Sequence, residues 1–404
     1  MKKFFVLISI ITFICPFFVY AEGDNVKNND SSDSQNIDNK DSNNSMELIS
    51  NAVSGILIEA NSGKIIYEKE KDKKVAIASM TKMVAQIIIL ENIENGNIKW
   101  DDVVTVSRNA ADMGGSQIYI EQGEKISIYD LMRGISMASA NDATVQMAEV
   151  IAGSEKKFVS LMNKKVKQLG LKNTVFKNCT GLDEDGHYST AYDMAMIARE
   201  LVVNHPKILE FSSVYEGYLR ENTANKFWLV NTNKLVRYYE GADGLKTGHT
   251  DNAKYCLAAT AKKNNLRLIG IVLGEEESKV RNNEAMQLLD YGFSNVKLKT
   301  IKKKGEVIKK VKLNKASSNY ISIVLKDDLS VMEGIGTNKK YKYKSMINDI
   351  KLPIKKNTTV GKMYVLDNGK KVSSQDLVIN KSVDNLSFLE LIRNSCINLV
   401  NGII

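Results

Sequence analysis

Ser79-Met80-Thr81-Lys82 places a hydroxyl and an amine three residues apart, at the head of the apolar run Met83-Val84-Ala85-Gln86-Ile87-Ile88-Ile89-Leu90 and behind Ala76-Ile77-Ala78. The pattern predicts the start of a buried helix. Residues three apart on a helix share a face, so the Lys82 amine can sit beside the Ser79 hydroxyl. A hydroxyl is a weak nucleophile until a base takes its proton, and a desolvated, neutral lysine is such a base. The unpaired N–H groups of a helix N-terminus also suit a developing oxyanion. The same spacing recurs at Ser154-Glu155-Lys156-Lys157 and Ser294-Asn295-Val296-Lys297, where it reads as surface, and Ser79 also reads as a plain helix N-cap.

Two further stretches bear on the choice. Ser136-Met137-Ala138-Ser139-Ala140-Asn141-Asp142 interrupts the helical, apolar pattern of residues 128–151. A polar break between buried helices predicts a turn that presents Ser139 and Asn141 to a cleft; the alternative is a helix cap. Asp243-Gly244-Leu245-Lys246-Thr247-Gly248-His249-Thr250 is followed by two β-type runs, residues 255–261 and 266–273, so the three read as successive strands of one sheet. Lys246 and Thr247 offer a cation and a hydroxyl to an anionic group, and Gly248 would let the backbone approach a ligand closely. A phosphate loop is the rival, but the glycines and lysine stand in the wrong order for one.

The elements around these stretches follow from pattern. Ser54-Gly55-Ile56-Leu57-Ile58-Glu59 and the run through Ile65-Ile66-Tyr67 predict a hairpin turning at Asn61-Ser62-Gly63, just before the Ser79 helix. Residues 158–169 and 191–203 predict amphipathic helices. Between them, residues 178–189 form a polar loop whose Asp183 and Asp185 suit a calcium site, a catalytic carboxylate or, since the calcium-ligand spacing is incomplete, solvated turns.

Composition narrows the class of function. The chain has 404 residues, 43% of them hydrophobic, and a formal charge of +9. That charge invites a nucleic-acid partner, but Met1-Lys2-Lys3 followed by the apolar run of residues 4–20 and Ala21 reads as an export signal, with a retained anchor as the alternative. No nucleic acid is therefore expected. Cys15 lacks the preceding small residue that lipid attachment needs, and Cys179, Cys256 and Cys396 form no disulfide framework. His187, His205 and His249 are scattered, so neither a metal nor any other cofactor is expected.

Ser-x-x-Lys, Ser-x-Asn and Lys-Thr-Gly are together the motif set of penicillin-binding proteins and class A β-lactamases. Each of the first two is common alone; all three in this order, on helix, turn and strand, are not. The chain resembles the low-molecular-mass penicillin-binding proteins of the D-alanyl-D-alanine carboxypeptidase family, over about residues 47–383. Ile58-Glu59-Ala60-Asn61-Ser62-Gly63-Lys64, Met132-Arg133-Gly134-Ile135, Leu169-Gly170-Leu171-Lys172-Asn173-Thr174 and Gly244-Leu245-Lys246-Thr247-Gly248-His249-Thr250 add to the likeness. The resemblance implies an α+β catalytic domain, an antiparallel sheet flanked by helices. It also implies Ser79 attack on the carbonyl between the last two D-alanines of a peptidoglycan stem peptide, with Lys82 as general base kept neutral by burial and by the nearby charge of Lys246. Backbone N–H groups of Ser79 and His249 would hold the oxyanion, Ser139 would relay a proton to the leaving amine, and Asn141 would bind the substrate backbone. Lys246 and Thr247 would clasp the terminal carboxylate beside Gly248, and β-lactam antibiotics would be trapped on Ser79 as covalent inhibitors. Two rivals stay open, a β-lactamase and a silent wall-binding protein. Against the first, Ala140 replaces the central Asp of Ser-Asp-Asn and no Glu-x-x-x-Asn follows in place; against the second, all three motifs are intact.

The expected organisation is a signal peptide at 1–21, a disordered linker at 22–45, a catalytic domain at 46–295, a β-rich domain at 296–383 and an amphipathic membrane-surface helix at 384–404. The linker is nearly free of apolar residues. The β-rich stretch is dense in lysine and β-branched residues and contains the hairpin signal Asp367-Asn368-Gly369. Its charge suits anionic lipid or wall polymer, or merely a solvated surface. In the last segment Phe388, Leu389, Ile392, Cys396, Leu399, Val400 and Ile403 recur at helical spacing opposite Glu390, Arg393, Asn394, Asn398 and Asn401, which suits a helix lying in a membrane surface or packed on the β-rich domain. The expected location is the outer face of the cytoplasmic membrane, held peripherally.

Overall fold

The computed structural model describes residues 47–313 and 316–387 together with 389, 390, 392, 393, 397 and 402. The expected signal segment and linker, and Phe388, Cys396, Leu399, Val400 and Ile403 of the expected terminal helix, lie outside these.

Continuous apolar runs build the middle of the central sheet. Strands Ser54–Glu59, Ile65–Lys69, Ala242–Thr250, Lys254–Lys263 and Leu266–Glu275 form one antiparallel sheet, with the first hairpin joined to the last three strands through the pairing of Ser54–Glu59 with Leu266–Glu275. Ile56, Ile58, Ala258, Ile269 and Ile271 face a large core with the helices Lys82–Glu94, Asn141–Ala152, Glu155–Gln168 and Ala191–Asn204. Leu57, Leu257, Ala259, Leu268 and Val272 face the opposite side, against Ala285, Leu288 and Leu289 of the Ser278–Asn295 helix. Successive residues of a strand point to opposite faces, so the three inner strands of a sheet covered on both sides, Ser54–Glu59, Lys254–Lys263 and Leu266–Glu275, are buried at nearly every central position. Each buried aliphatic side chain contributes about 1.5–3 kcal/mol of transfer free energy, so the sheet is a rigid base.

The Lys82–Glu94 helix is buried all round its first nine residues, from Lys82 to Leu90. It is the spine of the larger core, which is why its apolar run shows no one-sided stripe.

The named elements beyond the Ser278–Asn295 helix are all strands among the described residues. Val307–Lys312, Tyr320–Leu325, Lys370–Ile379, Thr359–Asp367 and Lys342–Ile347 make a second five-stranded antiparallel sheet, and Val296–Lys302 pairs with Leu329–Gly334. Their core, including Ile321, Ile323, Leu325, Leu329, Met363, Val365, Leu377 and Ile379, draws only on this part of the chain. The expected hairpin turn closes as a two-residue connection, with Asn368 at φ +49° and Gly369 at φ +81° and Asp367 paired to Lys370.

Candidate active site

Ser79 lies in a 3-10 turn, Ala78–Thr81, that runs directly into the Lys82–Glu94 helix. The expected helix start is here, in 3-10 form, while the N-cap alternative does not hold, since the Ser79 side chain caps no backbone N–H. The tighter turn serves the pair better, because i and i+3 side chains eclipse in a 3-10 helix. Lys82 Nζ is 2.8 Å from Ser79 Oγ. The residue before the serine, Ala78, holds φ at +46°, a left-handed conformation unusual for a side chain with a Cβ.

Two glycines press backbone against this turn. A Cβ on Gly181 would meet the Ala78 carbonyl oxygen at 2.0 Å, and one on Gly248 would meet the Ile77 carbonyl oxygen at 2.6 Å and Ser79 N at 3.3 Å. The close approach expected of Gly248 is thus to the protein's own serine turn. It wedges the turn between the Ala242–Thr250 strand and the loop of residues 178–189.

Lys82 is fully buried and its nitrogen has three oxygen neighbours: Ser79 Oγ, Asn141 Oδ1 at 2.7 Å and the Thr180 carbonyl at 2.6 Å. Asn141 is oriented by its Nδ2, which donates to the Gly114 carbonyl at 2.8 Å, so Oδ1 faces the lysine. Two of the three neighbours can only accept. A neutral amine has two N–H donors and one lone pair. With both donors spent on Asn141 and Thr180, the lone pair points at the remaining neighbour, the Ser79 hydroxyl, in the arrangement a general base needs.

Burial pushes the Lys82 amine down to about 7, against the opposing pull of Cys179 and Asp142. The expected help from the charge of Lys246 is corrected here: desolvation is the cause at Lys82. Lys246 is itself held well below the usual amine range, by burial first and then by the positive charges of Lys82 and Arg281.

Lys246 is fully buried on the Ala242–Thr250 strand and donates to Ser139 Oγ at 2.8 Å and to the Thr247 carbonyl at 2.9 Å. Ser139 follows the π-turn Gly134–Ala138 in a left-handed conformation, φ +63°, and Asn141 opens the next helix. The polar break in the sequence is therefore the turn expected of it. Thr247 Oγ1 donates to Thr232 Oγ1 at 2.7 Å. The His249 ring is exposed and stacks on Tyr255, with centroids 4.1 Å apart.

Three contributors escaped the sequence reading. The Thr180 carbonyl holds Lys82, but a backbone oxygen has no residue signature. Thr232 meets Thr247 from a loop with no motif. His187 hydrogen-bonds Thr81 Oγ1 through Nε2 at 2.8 Å and accepts the Lys177 N–H at Nδ1, so its Nε2 carries the proton and supports the serine turn from behind. Burial lowers His187 to about 4, which keeps it neutral. The loop of residues 178–189 thus matters for Thr180, Gly181 and His187 rather than for its acids, of which Asp183 accepts from Thr250 Oγ1 at 2.7 Å on the surface. Among the described residues no cluster of three His, Cys, Asp or Glu could hold a metal ion. Cys179 and Cys256 are buried and burial raises both thiols, Cys256 to about 11.

Comparison with known proteins bears on this arrangement. The family model of peptidase S11, D-alanyl-D-alanine carboxypeptidase, matches residues 40–277, and that of the penicillin-binding protein 5 C-terminal domain matches residues 297–385. The D-alanyl-D-alanine carboxypeptidase DacF of Bacillus subtilis (strain 168) is 42% identical over 351 residues, spanning 86% of this chain and 90% of that protein. DacA of Escherichia coli (strain K12) is 35% identical over 347 residues, 84% of this chain and 85% of its own. Among solved structures, penicillin-binding protein 5 of Haemophilus influenzae superposes with a TM-score of 0.66 at 31% identity, covering 83% of this chain and 98% of that one. Penicillin-binding protein D2 of Listeria monocytogenes, in its ampicillin-bound form, gives 0.55 at 32% identity over 60% of this chain and 98% of its own.

Proposed function

The chain belongs to the D-alanyl-D-alanine carboxypeptidase family, and on that premise we propose that Ser79 is its nucleophile and Lys82 its general base. The enzyme is a serine-type D-Ala-D-Ala carboxypeptidase. The observation that carries the assignment of roles is the three-oxygen neighbourhood of the Lys82 amine, which leaves its lone pair for the Ser79 hydroxyl.

The reaction then runs as follows. The substrate is a peptidoglycan stem peptide ending in D-Ala-D-Ala. Its C-terminal carboxylate enters beside Lys246 and Thr247. An anion there offsets the desolvation and repulsion that depress the Lys246 amine and so favours its protonated form. Burial keeps Lys82 available as the neutral base. Ser79 Oγ attacks the penultimate carbonyl carbon while its proton passes to Lys82 Nζ. The oxyanion is met by the backbone N–H groups of Ser79 and His249. The C–N bond breaks, and the proton returns through Ser139 to the leaving amine of D-alanine. Asn141 holds both Lys82 and the substrate backbone. Water adds to the acyl-enzyme by the same proton path and frees Ser79. A β-lactam enters as a mimic of the dipeptide and stays esterified to Ser79.

Incubation of the soluble protein with a pentapeptide ending in D-Ala-D-Ala should release D-alanine, and Ser79→Ala should release none above background. Penicillin labelling without D-alanine release would instead mark a binder that has lost turnover.

Export and a peripheral seat at the outer face of the cytoplasmic membrane belong to the same reading, with residues 46–295 and 296–383 as its two domains. Their support is the N-terminal sequence and the exposure of Leu389, Ile392 and Ile397 near the C-terminus. No helix of the described residues is long and apolar enough to cross a membrane. Deletion of residues 386–404 should release active protein from membranes; unchanged sedimentation would refute the anchor.

A further inference from the structure

Residues 114–120 run along the Asn141 side of the serine site. The Gly114 and Ser116 carbonyls both accept from Asn141, through Nδ2 at 2.8 Å and the backbone N–H at 2.7 Å. Three residues on, Tyr119 holds φ at +54°, a left-handed conformation that a bulky side chain rarely adopts. Its neighbours Ile118 and Ile120 are buried in the larger core, while Tyr119 itself is 66% exposed.

This conformation is held from two sides. Asp142, buried next to Asn141 in the chain, accepts the Ile118 N–H at 3.1 Å and the Ile120 N–H at 3.2 Å. Arg220 donates to the Ile118 and Tyr119 carbonyls, each at 3.1 Å, and is itself fixed by Glu124 at 2.6 Å. A buried carboxylate and a clamped guanidinium thus converge on one strained backbone position, and what they achieve there is to set an aromatic ring outside the core. Strain over-determined by its surroundings in this way is characteristic of ligand clamps. The ring is braced as well, meeting Phe227 edge-on with centroids 5.8 Å apart, and Phe227 packs on the larger core.

The attachment to Asn141 says which part of a peptide the ring would face. Lys246 and Thr247 are given above to the carboxylate of the leaving residue, and Asn141 to the backbone of the portion that stays on Ser79. A segment that hangs from Asn141 therefore borders the acyl side of the scissile bond. An aromatic ring offers a flat apolar face to methylene groups there.

We propose that Tyr119, braced by Phe227, is a specificity-determining residue: its ring packs against a long aliphatic side chain on the stem-peptide residue that precedes D-Ala-D-Ala. The inference rests on the function proposed above and adds to it the side chain that the acyl side selects.

The test measures kcat/KM for D-alanine release by the full chain from N-acetyl-Lys-D-Ala-D-Ala and from N-acetyl-Ala-D-Ala-D-Ala, which lacks the long side chain. The unaltered chain should prefer the first, and the ratio of the two should fall about tenfold in Tyr119→Ala and in Tyr119→Gly, but hold in Tyr119→Phe. Glycine is at ease at positive φ and alanine is not, so the two variants differ in backbone preference and share the loss of the ring. A purely structural role would lower both peptides in proportion, and an unmoved ratio in either variant overturns the proposal. So does a ratio near one in the unaltered chain. Absence of D-alanine from both peptides would sink the proposed function and this inference with it, whereas release without selectivity sinks this inference alone.

Discussion

In the catalytic half, Lys82 and Lys246 are buried and both are held below the usual amine range; in the tail, Lys339 stands exposed beside Asp367 and is held above it. The residue type is the same. Burial removes water from the first pair and penalises the ammonium, whereas the side-chain hydrogen bond to Asp367 favours it on the third. A lysine becomes a base only where the fold strips its hydration, a condition that exposed Lys339 does not meet. Glycine makes the same contrast. Gly181 and Gly248 are required by backbone packed against the serine turn, while Gly369 has nothing within 4 Å and is required only by its φ of +81°.

The sharpest way to break this comparison is to remove the two groups whose chemistry depends on burial. Ser79→Ala and Lys82→Ala should each lower D-alanine release by roughly 10⁴-fold, and together by no more than either alone, because the two act as a unit. Additive losses would mean the pair is not one device. Next in size, Gly181→Ala should cost about 10²-fold in activity, since its Cβ meets the Ala78 carbonyl and must displace the serine turn, and about 2–4 kcal/mol in denaturant stability. Gly369→Ala, by contrast, should cost about 1 kcal/mol and no activity.

The pH profile sharpens the contrast further. Lys82 must be neutral to accept a proton and its amine is lowered to about 7, so the rate of penicillin acylation should fall about tenfold per pH unit below that value and level off above it. A flat profile between pH 5 and 9 would mean that Lys82 is not the base. The smallest effect belongs to the tail. Lys362→Ala removes a surface pair with Asp376 at 3.5 Å and should leave activity and melting temperature within error, because exposed pairs contribute little.

Much of the site was legible because its three segments each carry an i,i+2 or i,i+3 signature on an element with clear periodicity: Ser79 with Lys82, Ser139 with Asn141, Lys246 with Gly248. The helix, turn and strand that hold them follow from apolar pattern alone. What escaped is carried by backbone or by partners remote in sequence. Thr180 contributes a carbonyl that any residue would possess, Thr232 meets Thr247 across a loop, and His187 reaches Thr81 from 106 positions away. The 3-10 geometry at Ser79 was also hidden, since propensity does not separate one tight turn from the first turn of an α-helix.

Residue identity by itself determined the chemical inventory: one activatable hydroxyl, two amines, an amide, and strands and helices stiff enough to hold them. Only the tertiary structure decided which amine could serve as base. That choice depends on water excluded from around Lys82 and on two acceptors, Asn141 and Thr180, occupying its protons, and both are properties of neighbours far away along the chain.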